Sequence, residues 1–388
     1  MSESTKKTLL TLPLKVILTE EGASHFIQNK KKLLRIKLAD TIEEYGISLD
    51  SFSPQTIQQM ILVDYIAKLE ISMPEFSSSK QDVMDLTKLV VFSLLYKKFD
   101  KEIYAALVES DCVRKHNRAN PSQIIDDRVK ITDRQVLFHL SSKEGVVSRA
   151  RKTILDPLWL SIKEDESLTP EEKNVFMLMT EKFLDRMSRL NWYVITKFYD
   201  QPGFGEILQR IHSLLRDYME KSKVAEYISL MVMELALNCE NSNMRQEARR
   251  MYKGLPDTDT LIYDPEVRKK IIAEMIKKHE MVFLSWRLGG GSSSIGKQGR
   301  LQITLYDKDD SFQEVKESIE TKKSADLNKR SLIDFYKELP EGSEGVDLGL
   351  YYLSYLDEAC KKVNVKFESL VNQYSVSNLM VITLVFNF

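Results

Sequence analysis

Apolar residues recur at helical spacing through much of the first part of the chain. Residues 20–45, 54–69 and 82–107 each show this period, and together they predict three helices. A short apolar segment at Thr11–Leu18 predicts a strand, and Pro13 within it marks either an edge strand or the entry to a strand, because proline cannot donate a ladder hydrogen bond. The pattern therefore predicts a mostly helical domain over residues 1–150.

A strong helix start stands in the middle of the chain. Thr169 can cap the third helical N–H while Glu172 reaches back to the cap, which is a capping box. The helix is predicted to run to about Tyr199, where Gln201–Gly203 ends it. We therefore predict a helical connector over residues 151–203, with a domain boundary at its end.

After this boundary the pattern changes to helices followed by strands. Residues 207–219 and 224–241 predict two amphipathic helices, and the alternating segments 280–287 and 301–307 predict two strands. The remaining predicted elements are a lysine-rich helix, a second helix and two closing strands, at Pro265–His279, Val346–Val363, Val365–Leu370 and Leu379–Phe388. Helices followed by a run of strands are typical of an α+β domain, here predicted over residues 204–388.

A row of polar side chains lies along one edge of the predicted helix at 224–241. Glu234 and Asn238 are four residues apart and therefore lie one turn apart on the same face, and Asn241 continues the row. A carboxylate and two amides on an otherwise apolar helix are costly if they face the core. The row therefore indicates a functional groove, although a polar edge at the protein surface explains the same spacing.

A glycine-bearing turn runs directly into the predicted helix at 346. Gly345 and Gly349 stand at this junction. Glycines ahead of a helix expose backbone N–H groups, and such groups suit a phosphate. The alternative is a plain loop followed by a helix cap.

The composition argues against several classes of function. The 388 residues are 43% apolar and 29% charged, as in ordinary globular proteins, and the net charge of −1 gives no field that would attract nucleic acid. No window approaches 18 uninterrupted apolar residues, so we expect no membrane insertion. Three widely separated cysteines argue against a disulfide framework and favour a reducing, cytoplasmic location.

The C-terminal part, roughly residues 205–388, resembles the GHKL ATPase domain of histidine kinases and serine-kinase anti-sigma factors. ELALNC at Glu234–Cys239 looks like the N-box of that family, LQITLYD resembles the strand that enters the G1 box, and GVDLGLYYL resembles the G2 box. These pieces occur in the order that the family has. The resemblance implies a helix-over-mixed-sheet sandwich that binds ATP with Mg²⁺.

The resemblance also carries roles onto single residues. Asn238 would hold the Mg²⁺ ion, and Glu234 stands where family members that hydrolyse ATP place a catalytic carboxylate. Asp307 would contact the adenine, and the backbone around Gly345 and Gly349 would meet the phosphates. The predicted cofactor-binding set is Asn238, Asn241, Asp307, Gly345 and Gly349.

Two functions follow from the resemblance. The first is a cytoplasmic signalling protein with an ATP-binding domain that acts as a kinase or ATPase. The second is a catalytically inactive scaffold or partner-switching protein. The G1 box of the family reads D-x-G-x-G, whereas Asp307 is followed here by Lys-Asp-Asp-Ser, which lacks the glycines and adds carboxylates that repel a triphosphate. Both functions imply a protein partner, and a long helix ahead of the ATPase-like domain is compatible with a homodimer.

Overall fold

The computed structural model of this chain describes most of its residues and divides them into two compact units. The described ranges are 9–29, 32–38, 42–126, 131–278, 281–289, 299–307, 327–330, 346–374 and 379–388. The sheet unit combines Met1–Leu94 with Lys223–Phe388, and the helical unit is residues 95–222. This division differs from the predicted three consecutive parts, because the two ends of the chain belong to one unit.

The described strands all lie in the sheet unit. They are β1 (Leu14–Leu18), β2 (Leu34–Leu38), β3 (Ile42–Leu49), β4 (Ile66–Met73), β5 (Val282–Gly289), β6 (Arg300–Asp307), β7 (Leu327–Arg330), β8 (Lys366–Tyr374) and β9 (Leu379–Asn387). They form one nine-stranded sheet in the order β2-β3-β1-β4-β5-β6-β9-β8-β7. Each pairing between these described strands is antiparallel, whereas the resemblance implies a mixed sheet.

The pairing of β4 with β5 joins the two ends of the chain. Leu69 lies opposite Trp286 and Ile71 lies opposite Leu284, and all four side chains are buried. The apolar faces of these strands complete each other, and this explains why the N-terminal segment does not form a separate domain.

Two of the predicted N-terminal helices are too long. The first, over residues 20–45, ends in the structure at Gln28, where α1 (Glu20–Gln28) stops and the strands β2 and β3 begin. The prediction followed the helical period of residues 20–45, but LRIKL at Leu34–Leu38 also alternates apolar and polar residues with the strand period of two.

The second of these helices, over residues 54–69, is also replaced by strand at its end. The structure has α2 (Pro54–Leu62) followed by a turn at Asp64, whose φ of 62° lies in the left-handed region. β4 then begins at Ile66 and runs between two other strands. In both cases the structure has strands where helix was predicted, so the N-terminal part contains more sheet than expected.

The C-terminal elements confirm the predicted α+β order. The described helices after residue 223 are α10 (Val224–Met251), α11 (Pro265–Lys277) and α12 (Val346–Lys362), with a 3₁₀ segment at Thr258–Tyr263. α10 lies on the sheet and packs against β5 and β6, and α12 packs against α10 and β8. An apolar seam joins α10 to the sheet; its lining side chains are Val232, Leu235, Leu284, Ile303, Leu305, Ile382 and Leu384.

The helical unit contains the middle of the chain. Its helices are the second half of α3 (Lys80–Glu109) and then α4 (Asp111–Ala119), α5 (Asp133–Ser142), α6 (Glu144–Glu164), α7 (Pro170–Arg186), α8 (Arg189–Phe198) and α9 (Phe204–Ser222). The predicted capping box of Thr169 and Glu172 is confirmed at the start of α7. The predicted single helix to Tyr199 is wrong, because it ends at Arg186 and a new helix begins after the Ser188 cap. Among the described residues, no helix has the length and apolar character needed to cross a membrane.

Candidate functional site

The predicted polar row lies on α10, the helix that covers the sheet. α10 continues to Met251, ten residues beyond its predicted end at Asn241. Its apolar side faces the strands, and Glu234 and Asn238 are half-buried along its edge. The amide nitrogen Nδ2 of Asn238 donates a hydrogen bond of 3.3 Å to Oε1 of Glu234. The structure therefore joins the two residues that the helical spacing predicted to be neighbours.

The environment of Glu234 favours its protonated form. Burial raises the pKa of this carboxyl, while the hydrogen bond from Asn238 and the nearby ammonium of Lys80 oppose the rise only in part. A carboxyl with a raised pKa exchanges its proton closer to neutral pH, which suits a general acid or base. The carboxyl of Glu234 can therefore accept or release a proton at Oε1 or Oε2.

The remaining predicted site residues are distributed over neighbouring elements. Asp307 is the last residue of β6 and lies opposite Val282, and β6 is one of the strands under α10. Gly349 is buried in the first turn of α12, which packs against α10. Asn241 is half-buried two turns beyond Glu234 on α10. Gly345, and the residues after Asp307 that replace the glycines of the G1 box, lie outside the described residues.

Sequence reasoning missed a buried ionic cluster further along α10. Glu240 is completely buried, and its Oε2 accepts hydrogen bonds from the backbone N–H of Phe76 at 2.5 Å and of Ser77 at 3.0 Å. Its Oε1 accepts from the Ser77 hydroxyl at 2.9 Å and from the Arg268 guanidinium. Arg268 also pairs with Glu75 at 3.2 Å. The cluster ties α10 and α11 to the turn that precedes α3.

A second carboxylate shares this buried row. Glu247, seven residues after Glu240 and on the same face of α10, is also completely buried and pairs with Lys278 at 2.5 Å and with Arg250 at 3.4 Å. The sequence signal that could have revealed these two buried carboxylates is the presence of acidic residues at positions that follow the apolar period of the helix. Their partners could not be found in the same way, because Phe76 and Ser77 precede Glu240 by more than 160 positions. Since the described contacts satisfy both carboxylates, we interpret them as structural anchors.

No protein-only metal cage appears in the part of the chain that the structure describes. No group of three or more His, Cys, Asp or Glu side chains is placed there to hold an ion. Mg²⁺ commonly uses one or two protein oxygens and completes its shell with water and substrate phosphates. The resemblance assigns such an ion to Asn238, and since its Nδ2 donates to Glu234, a ligand atom from this side chain would be its Oδ1.

Comparisons with known proteins identify relatives but no described activity. The model of DUF8084, a family of unknown function, matches residues 5–388. A protein of Treponema pallidum (strain Nichols) that carries the name "Uncharacterized protein" is 38% identical over 389 residues, with 100% of each chain covered. No solved structure matches this chain.

Proposed function

We propose that this chain, which belongs to the DUF8084 family, is a cytoplasmic signalling protein that binds ATP with Mg²⁺ beside α10, in the manner of histidine-kinase-like ATPases. The observation that supports this function is the half-buried pair of Glu234 and Asn238 on a helix that packs against both β6 and α12. The resemblance assigns the adenine contact to β6 and the phosphate contact to α12. The proposal therefore places the ligand groups on elements that are neighbours in the fold.

Each residue has a distinct role in this proposal. The side-chain oxygen Oδ1 of Asn238 would bind Mg²⁺, because the amide nitrogen Nδ2 already donates to Glu234. The carboxyl of Glu234, with its raised pKa, would orient or deprotonate the group that attacks the γ-phosphate. Asn241 extends the polar edge along which the nucleotide would lie.

The nucleotide itself would contact the ends of the other two elements. Asp307 would accept a hydrogen bond from the adenine amine, and the first turn of α12, with Gly349 and the preceding Gly345, would meet the phosphates. The free N–H groups of a helix start attract anions. Gly349 is buried in that turn, and a glycine there lets backbone approach closely.

A catalytically inactive scaffold is the second candidate function. The glycine-free sequence after Asp307 favours it, and so does an aromatic surface on α12. Tyr351 and Tyr355 are 54% and 43% exposed, and their rings are 4.4 Å apart. Exposed aromatic side chains are enriched where proteins dock. In this function α12 would bind a protein partner without turnover of nucleotide.

Calorimetry on the intact protein separates the two functions. We expect ATP to bind only when Mg²⁺ is present, and Asn238→Ala to weaken this binding by about tenfold or more, since it removes a ligand of a charged group. Glu234→Gln should keep the binding but lose any phosphotransfer or hydrolysis. Gln246→Ala removes an exposed amide from the same helix and is the matched control.

The contrary result is equally clear. If the folded protein gives no heat at millimolar ATP, the nucleotide function is wrong and the scaffold function stands. If ATP binds but Asn238→Ala and Gln246→Ala behave alike, the nucleotide site is not on α10.

A further inference from the structure

The outer side of α7 carries four residues at the spacing of a coiled-coil contact. They are Glu171, Val175, Leu178 and Lys182, which we call the α7 stripe. Their separations of four, three and four positions place them on one face of the helix, within an arc of about 60°. Val175 and Leu178 at the centre are 52% and 48% exposed, and the charged residues at the two ends are exposed as well. The stripe is therefore apolar in the middle, acidic at one end and basic at the other.

The other sides of α7 already have partners inside the helical unit. The residues that this helix buries are Phe176, Thr180, Phe183 and Leu184. α6 packs beside α7, where Arg151 pairs with Asp185 at 2.6 Å and the indole N–H of Trp159 donates to the Thr180 hydroxyl at 3.1 Å. These contacts leave the α7 stripe on the solvent side of the helix.

The two charged ends of the stripe cannot pair with each other within one chain. Glu171 and Lys182 are eleven residues apart, which is about 16 Å along a helix. An ion pair requires an approach to about 4 Å. A second α7 that runs in the opposite direction brings each end beside its opposite charge, whereas a second α7 in the same direction would place like charges together. The charge pattern therefore fits an antiparallel copy of the same helix.

We propose that two copies of this chain associate through the α7 stripe, with their α7 helices antiparallel about a two-fold axis. Val175 of each copy packs against Leu178 of the other, and Glu171 of each copy pairs with Lys182 of the other. The same arrangement places the positive N-terminal end of each helix dipole beside the negative C-terminal end of the second helix. Such an isologous contact closes with two copies. The dimer is separate from the nucleotide function and does not depend on it.

The small size of this contact limits its strength. The stripe covers about three helical turns, and two apolar side chains from each copy form its centre. Stable interfaces bury at least about 1,200 Å² in total, which a contact of this length does not reach. The dimer is therefore weak, with a dissociation constant above about 10 μM, and its population increases with protein concentration.

Charge reversal tests both the surface and the direction of the pairing. Sedimentation equilibrium of the intact protein over a concentration series measures the association. Glu171→Lys and Lys182→Glu should each weaken it by about tenfold, since each change turns two attractive pairs into two repulsive ones. An equimolar mixture of these two variants should associate about as strongly as the unchanged protein, because one copy then has lysine at both ends of the stripe and the other has glutamate.

The apolar centre has a matched control on the neighbouring helix. Leu178→Gln should weaken the association by about tenfold or more, since each dimer loses two buried leucines. Leu160→Gln removes a leucine of similar exposure, 56%, from α6 and should leave the association unchanged. Circular dichroism shows whether each variant is folded. The proposal is wrong if the protein is monomeric at every concentration, if the two leucine variants have equal effects, or if mixing the two charge variants restores no association.

Discussion

At the scale of single residues, Glu240 is held by several hydrogen bonds at once. Its carboxylate is completely buried and accepts hydrogen bonds from two backbone N–H groups, the hydroxyl of Ser77 and the guanidinium of Arg268. A charge in such a place is tolerated only because these donors replace its hydration. The carboxylate thus determines the position of the turn before α3.

Glu240→Gln should destabilise the sheet unit by about 3 kcal/mol. It removes the buried negative charge that Arg268 pairs with, and the NH₂ group of the new amide would face donors that now bind a carboxylate oxygen. The free energy of unfolding can be measured by urea titration. Glu266→Gln is the control, since this glutamate is 76% exposed beside Lys269 and should change the stability by less than about 0.5 kcal/mol. Equal losses in the two variants would show that the buried cluster contributes no more than a surface ion pair.

The residue scale also shows what a sequence can and cannot predict about the site. Glu234 and Asn238 could be paired in advance, because helical spacing alone places them one turn apart. The partners of Glu240 could not, since its contacts with Phe76 and Ser77 depend on tertiary structure.

At the scale of elements, close packing fixes where α1 meets the start of β4. Thr19 caps α1 and accepts a hydrogen bond from the N–H of Gly22 at 3.1 Å. A Cβ added to Gly22 would overlap the carbonyl oxygen of Tyr65 and come within 2.9 Å of its Cα. Both obstructing atoms belong to the backbone, so neither can move aside without shifting the helix or the strand.

Gly22→Ala should therefore destabilise the protein by about 3 kcal/mol, the upper end of the usual cost of overpacking. Gly145→Ala is the matched control in α6, because a Cβ there would meet nothing within 4 Å. The control should be neutral or stabilising by about 0.5 kcal/mol, since alanine favours helix over glycine. Thermal unfolding of both variants measures the difference. Similar stabilities would mean that α1 can shift away from Tyr65 at little cost.

Elements differed in how well their sequence predicted them. The strands near 282 and 301 and the capping box at Thr169 were predicted correctly, because alternation and capping are local signals. β2 and the first half of β4 were predicted as helix, since short apolar segments fit both periods. Pairing with neighbouring strands determines that these segments are strands, and the sequence of one segment does not reveal its partners.

At the scale of the whole molecule, the sheet unit is discontinuous in sequence. Residues 223–388 supply β5 to β9, and the first 94 residues supply β1 to β4, with the helical unit inserted between them. The predicted boundary at residue 204 came from a turn sequence that does end a helix. It did not mark a domain limit, because β5 continues the sheet of β4 through six residue pairs from Lys68–Arg287 to Met73–Val282.

A fragment of residues 204–388 should therefore fail to form a stable monomer. Without β4, the backbone groups of β5 lose their partners on one side, and Leu284 and Trp286 lose the side chains opposite them. An unpaired apolar edge strand is prone to aggregation. A fragment of residues 95–222 should remain monomeric and helical, because it is a compact unit of its own. Size-exclusion chromatography with circular dichroism distinguishes these outcomes. If the 204–388 fragment instead gave a monomer with a cooperative unfolding transition, β1 to β4 would be an addition to an independent C-terminal domain rather than part of its core.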